Sequence, residues 1–457
     1  MDRRTVQRLL KGFGASLYGQ VVVVVIQLAG VPILLTHWHA SLYGEWLILF
    51  AIPAYLSLGD LGFSLSAAND MTARVGREDR AGALTVFQSL TALVLFLAAV
   101  GLVVITIAAT LLPLGNWIHF SNLTTHDVRW ILWLLGAEVL MKLPDGVNHA
   151  GFRATGDFAL HVTLYYSILF AQHASIWLLA ALGFGPVAAA AAFFIIRVIA
   201  TPANAIVLSR RQSWLRFGLG DARFAQLRTL VRPALANTGI PLALALNVQG
   251  MVLLVGAMLG PLAVVTFSTL RTLTRLALQM VSTVSHAAEP ELAAAFGKGD
   301  QVLLRTVYHH ALRGSFWLAL TVSIGLALTG TWILRVWTHG KVGMDLALFH
   351  WLLASAVASA MWYGSLTLLK AANRHLRAAV IYAASAGAAL ALAAAFIKAT
   401  GDLADAGMSL LVMDAIMALY TLHAASRLFG SSGLTSLYSA LNPAPLLKLV
   451  TTGRHAY

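Results

Sequence analysis

The sequence predicts an all-α integral membrane protein of twelve transmembrane helices, arranged as two pseudo-symmetric six-helix lobes. Three observations predict it. Only 11 % of the 457 residues are charged while 59 % are hydrophobic, against about 25 % charged in an ordinary soluble domain. With 18 Asp and Glu and a mean hydropathy of +0.78, the chain cannot wet the surface of two to four soluble domains. Its apolar residues also fall in runs of bilayer length, about 20 residues, without the alternation of a membrane β-barrel. Finally, the basic residues collect in alternate connections. Soluble enzyme, disordered chain and disulfide scaffold are excluded together.

Twelve runs stand out, near 13–36, 44–68, 83–113, 129–150, 158–182, 184–208, 234–258, 262–286, 309–334, 346–369, 376–398 and 405–427. The first is too long for a signal peptide and reads as a retained span. Of the 31 Lys and Arg, 23 fall before the first span or after even-numbered spans. Four fall on the other side (Arg129, Arg335, Lys341, Lys398) and four inside spans. This places both termini in the cytoplasm, as the even span count also requires. The net charge of +13 then reflects cytoplasmic loops facing anionic lipid, and no nucleic-acid partner is expected.

The connection after the sixth span, SRRQSWLRFGLGDARFAQLRTLVRP, is the longest polar break. It gives a first lobe at 1–209, a basic connection at 210–232, a second lobe at 233–430 and a cytoplasmic tail at 431–457. Gly76-Arg77-Glu78-Asp79 after the second span recurs as Gly297-Lys298-Gly299-Asp300 after the eighth, 221 residues on. AGFRATGDF after the fourth corresponds to LKAANRHLR after the tenth. Two landmarks in register indicate a parallel duplication, a transporter architecture.

The eighth span carries Ser268, Arg271, Arg275, Gln279, Ser282, His286 and Glu289 at steps of three and four, on one helix face. An arginine at a helix centre costs about 2.5–3.5 kcal/mol. Two readings stand: an anion site lining a cavity, or a structural pair satisfied by carboxylates of neighbouring helices. The polar residues that continue the stripe favour the first. Asn247 and Gln249 in the seventh span are further polar candidates, but two apart they do not share a face. In the fourth span Glu138, Lys142, Asp145 and His149 line up, with Glu138 and Lys142 spaced as a helical ion pair. Ser57, Asp60 and Ser64 share a face of the second span, and Arg197, Thr201 and Asn204 one of the sixth. Asp414 lies mid-span in the twelfth. Intramembrane carboxylates carry protons or ions in many membrane proteins, so Asp60, Asp145, Asp414 and Glu138, with Lys142, are the coupling candidates.

No catalytic constellation or P-loop is present, so no nucleotide hydrolysis is expected. The histidines lack metal spacing and there is no cysteine, so no metal or other cofactor is expected beyond a coupling proton or sodium ion.

These residues resemble a known family. HASLYGEWLILFAIPAYLSLGDLGFSLSAANDMTARVGREDRAGA looks like the start of bacterial polysaccharide flippases of the Wzx (O-antigen) type. There a Tyr-Gly turn, a Leu-Gly-Asp-Leu-Gly stretch and a basic Gly-x-x-Asp loop follow one another. Phe267 through Gln279, then Glu289-Pro290-Glu291-Leu292 and Gly297-Lys298-Gly299-Asp300, resembles the second-half counterpart. The family belongs to the multidrug/oligosaccharidyl-lipid/polysaccharide (MOP) exporter superfamily. The resemblance implies a V-shaped pair of lobes in the bacterial inner membrane that moves an undecaprenyl-diphosphate-linked oligosaccharide to the periplasmic leaflet by alternating access. Its partners would be that lipid-linked sugar, the bilayer and other polysaccharide assembly membrane proteins. Lipid II flippases carry two further helices, which disfavours that branch. On this reading Arg271 and Arg275 hold the diphosphate, Arg as a bidentate fork. Gln279, Ser282, His286, Asn247, Gln249 and Arg197 form the polar cavity face. The rivals are a MATE-like drug or cation antiporter and a membrane enzyme such as an O-antigen ligase. The enzyme reading is weakened by a long periplasmic connection, 114–128, that holds only Asp127, His119 and His126.

Overall fold

The structure, a computed structural model, describes residues 3–111 and 120–444, without the side chains of 3–9, 236, 237 and 286. The described residues form helices and no strands. They divide into two compact units, 1–245 with 260–262, and 246–259 with 263–457.

The first unit opens with α1 (Arg3–Ala51), which runs through the first expected span and breaks its regular backbone at His39 (φ 47°, ψ 163°). The second expected span, 44–68, is not one helix. After Ala51 comes a 3₁₀ turn, Pro53–Asp60, then left-handed Leu61 and Gly62, then α2 (Phe63–Gly76). The cause is local. Pro53 removes a backbone donor, and Gly62 takes a positive φ without Cβ strain. Ser57, Asp60 and Ser64 therefore do not share one continuous helix face as the sequence suggested. Instead the Asp60 carboxylate accepts from the Ser64 amide at 3.1 Å and the Ser64 hydroxyl at 2.9 Å, tying the start of α2.

α3 (Arg80–Leu111), α4 (Thr125–Ala154), α5 (Phe158–Ala181) and α6 (Pro186–Arg211) complete this unit, with α7 (Phe224–Ala245). α1 packs on α5, and α4 packs on α2, α3 and α6. Close approach uses small residues: a Cβ on Gly146 of α4 would collide with the Ser64 hydroxyl of α2. The α3–α4 connection is pinned by Glu45, whose Oε1 accepts from the Ser121 amide (2.8 Å), the Asn122 amide (3.0 Å) and the Asn122 side chain (2.8 Å).

Residues 212–223 fold back over the start of α3. Gln88 donates to the Arg216 carbonyl (3.0 Å) and accepts from the Asp221 amide (2.6 Å), while Ser89 accepts from the Arg223 amide (2.9 Å). Phe217 meets Phe87 edge-on, and Leu215 is buried.

The second unit begins with a π turn, Leu246–Gly250, and α8 (Met251–Leu259). The seventh expected span is therefore a helix carrying Pro233 and Pro241 followed by a wider turn. α9 (Pro261–Lys298) is 38 residues long and continues through Glu289-Pro290, beyond the expected end of the span near 286. α10 (Gln301–Trp337), α11 (Leu346–Ala371), α12 (Leu376–Thr400), α13 (Ala404–Arg427) and the short α14 (Gly433–Leu441) follow. α11 packs closely on α13, where a Cβ on Gly407 would reach within 3.0 Å of Leu348 and Trp351. Val281, Ala319 and Ala360 join α9, α10 and α11.

Among the described residues, nine stretches are long and apolar enough to cross a membrane, with 10–76 counted as one. That stretch contains the first two expected spans. The two expected spans that do not qualify are α4 and α9, each of which carries several of the candidate charges. The chain is a multi-pass membrane protein.

Candidate functional site

In the first unit the charges of α4 meet those of α6. Arg197, 1 % exposed, donates from Nε to Glu138 Oε1 at 3.0 Å and from Nη2 to Gln172 Oε1 at 2.9 Å. Its Nη1 lies 3.8 Å from Asp145 Oδ2. Gln172 also donates to Glu138 (2.9 Å) and to the Phe193 carbonyl (2.9 Å). Asp145 Oδ1 accepts from Asn148 (3.2 Å) and Asn204 (3.0 Å). Two buried carboxylates thus share one guanidinium, and with both ionised the group carries one net negative charge.

This differs from the sequence reading in two respects. Glu138 pairs across helices with Arg197, not along its own helix with Lys142. A buried pair outcompetes an i,i+4 contact worth a few tenths of a kcal/mol. Arg197 is also not a cavity-lining residue, because its head is spent on Glu138, Gln172 and Asp145.

Beside this network lies a cavity of about 370 Å³. Its polar lining is Ser57, Asp60, Ser64, Lys142, Asp145, His149 and His161, with Tyr165, Tyr166 and Phe158 as its aromatic wall. Lys142 sits 5.4 Å from the centre of the Tyr165 ring. Among the described residues no carboxylate lies within 4.0 Å of it. Gln172, Asn148, His161 and Tyr165 were not singled out from sequence. A lone glutamine inside FAQHASI was the available signal for the first.

In the second unit Arg271 of α9 donates from Nη1 to the Asn247 carbonyl at 3.0 Å and from Nη2 to the Asn247 side-chain oxygen. Asn247 in turn donates to the Tyr382 hydroxyl at 3.1 Å. Asn247 lies in the π turn, a feature frequent at functional positions. Gln249 makes no hydrogen bond among the described residues. Arg275, one turn beyond Arg271, has neither hydrogen bond nor ion pair there. Ser282 donates to the Gln279 carbonyl of its own helix at 2.7 Å. The His286 side chain lies outside the described residues.

Asp414 of α13 accepts from Trp362 Nε1 at 2.9 Å and from the Ser355 hydroxyl. Trp362 stacks on Tyr363 at 4.2 Å and meets Tyr382 at 4.9 Å. Trp362 thus links Asp414 to Tyr382, whose hydroxyl accepts from the Asn247 that holds Arg271. Among the described residues no carboxylate lies within 4.0 Å of Arg271 or Arg275, so the structural ion-pair reading finds no partner there.

At the start of α4, Asp127 accepts from the Thr124 amide (3.1 Å) and hydroxyl (2.7 Å), completing the capping box of which Thr124 is the N-cap. His126 accepts from Trp130 Nε1 at 3.0 Å. His119 lies outside the described residues.

No protein-family profile and no curated protein matches the chain. Solved structures do. A multidrug resistance MATE family transporter of the MOP superfamily in its inward-facing conformation matches with a TM-score of 0.75 at 16 % identity, over 89 % of this chain and 94 % of that one. The outward-facing conformation of such a transporter matches at 0.64 and 17 %, over 93 % and 95 %. A MATE protein in a bent conformation matches at 0.62 and 17 %, over 92 % and 94 %. The chain has the fold of the MATE transporters of the MOP superfamily.

Proposed function

We propose that the chain is a transporter that moves a lipid-linked oligosaccharide diphosphate across the bacterial inner membrane. The observation that carries this is the arginine pair of α9. Arg271 is held in place by two neutral acceptors of Asn247, and Arg275 makes no hydrogen bond or ion pair among the described residues. A fixed guanidinium and a free one at helical spacing suit a diphosphate, which offers acceptors on two phosphoryl groups. Uncompensated arginine within a membrane helix is costly, and an anionic ligand offsets that cost. Ion coupling belongs to Asp60 on this reading. Asp60 and Asp145 both line the cavity, but Glu138 and Asp145 are engaged with Arg197, whereas among the described residues Asp60 is bonded to Ser64 alone.

The second reading is a drug or cation antiporter, favoured by the description of similar folds as multidrug resistance transporters. The arginine pair opposes it, since like charge repels a cationic drug.

The deciding experiment reconstitutes the chain in liposomes and follows inward or outward movement of a fluorescent polyprenyl-diphosphate sugar, with ethidium efflux measured in parallel. The proposal expects flipping that Arg271→Ala and Arg275→Ala each abolish, with no ethidium movement. Ethidium transport that survives both substitutions, with no flipping, would establish the antiporter instead.

A further inference from the structure

Six arginines lie within the 23 residues 210–232: Arg210, Arg211, Arg216, Arg223, Arg228 and Arg232. All six are exposed. Arg211 pairs with Asp157 at 3.3 Å, and among the described residues the other five have no ion pair. Large apolar side chains stand exposed among them, with Phe224 76 % and Leu219 57 % accessible.

The arrangement is ordered, not loose. On α7 the positions 224, 228, 231, 232 and 235 fall within about 100° of one another at 3.6 residues per turn. Phe224, Arg228, Val231, Arg232 and Leu235 therefore make one exposed face. The opposite side, with Leu230 and Ala234, is buried on the unit. The apolar run expected as the seventh span, 234–258, follows directly, which puts the arginines of this stretch at the end of that span. Apolar side chains flanked by arginines are how a helix lies in the headgroup region: the rings and aliphatic groups enter while the guanidinium heads stay at phosphate level.

The second unit repeats the placement. Phe87, which holds Phe217, and Tyr308, which meets Phe429, are 221 residues apart, the spacing of Gly76 and Gly297. α14 docks there through Arg313, which donates to the Ser439 carbonyl at 2.9 Å. It turns Leu434, Tyr438 and Leu441 outward on one face.

We propose that residues 210–235 form an interfacial binding surface for the anionic phospholipid headgroups of the adjoining leaflet. The connection between the two halves is then a membrane-bound element and not a solvated linker. Charge complementarity selects the occupant: five exposed arginines without ion pairs at a bilayer boundary meet phosphate groups there before anything else.

The test uses the full chain in nanodiscs. Phe224→Cys gives a single attachment point because the native chain has no cysteine. It carries an environment-sensitive fluorophore, read against phosphatidylglycerol or phosphatidylcholine spin-labelled near the headgroup. The expected result is quenching by both, several-fold stronger with phosphatidylglycerol. Adding R216Q, R223Q, R228Q and R232Q should remove that preference, since each engaged arginine contributes roughly fivefold in affinity. The corresponding four Arg→Lys changes should keep it, which separates lost charge from lost fold. High salt should weaken it, and inorganic phosphate at matched ionic strength should add nothing. Absence of quenching, equal quenching by the two lipids at low salt, loss of preference in the lysine variant, or competition by inorganic phosphate would each overturn the proposal.

Discussion

Arg197 Nε donates to Glu138 Oε1 at 3.0 Å across 59 positions of sequence, while Lys142, four residues from Glu138, is drawn to the Tyr165 ring. Of these two cations Arg197 is fixed and buried, and Lys142 lines the cavity. Removing the fixed one leaves buried carboxylates unpaired. Arg197→Ala is expected to cost about 3–5 kcal/mol of stability, read as a lower unfolding midpoint in detergent. Lys142→Ala should leave that midpoint nearly unchanged. Equal effects of the two would contradict the division of roles.

Gly146 faces the Ser64 hydroxyl so closely that a methyl group there must displace it. Gly146→Ala should cost about 1–3 kcal/mol by overpacking and pull Ser64 away from Asp60. Adding Ser64→Ala should recover part of that loss, because the two changes share one contact. Strict additivity of the two in thermal unfolding would show that the contact is not the cause.

Asn247 offers a sharper test of the anion site than removal of an arginine. Asn247→Ala removes the side-chain half of the Arg271 tether, leaving the bond to the main-chain carbonyl, and should slow flipping. Asn247→Asp keeps the acceptor geometry but places a carboxylate where the diphosphate must compete. It should slow flipping further while leaving the protein at least as stable. An Asp variant as active as the wild type would argue against anion binding at Arg271.

Asp60 is the expected coupling carboxylate. Asp60→Asn keeps an acceptor for Ser64 but cannot change charge, so it should stop turnover driven by an imposed pH gradient while binding persists. One charge crossing the full potential supplies about 2.3 kcal/mol per 100 mV, roughly a fiftyfold gradient. Flipping that responds to the gradient as strongly in the variant as in the wild type would move coupling elsewhere.

The helices were legible because bilayer length and backbone hydrogen bonding leave few alternatives to a long apolar helix. The break at Pro53–Asp60 was written in the sequence as Pro53, Gly59 and Gly62, but the apolar run across 44–68 hid it. The partner of Glu138 was not legible from spacing. The i,i+4 rule describes exposed helix faces, and a buried carboxylate takes the partner that best compensates its lost hydration, here Arg197. The polar stripe of α9 was readable at 3.6 residues per turn. The Asn247 contact was not, because it depends on a main-chain carbonyl in a π turn that no side-chain pattern announces.

The Glu45 anchor has a consequence for producing the protein in eukaryotic cells. Asn122-Leu123-Thr124 is an acceptor sequence for N-linked glycans, and in the folded chain both its working groups are engaged. The Asn122 amide donates to Glu45 and to Ser41 (2.9 Å), and the Thr124 hydroxyl is held by Asp127. A glycan at Asn122 can therefore be added only before this corner closes, and the glycosylated fraction would record how slowly the first unit folds.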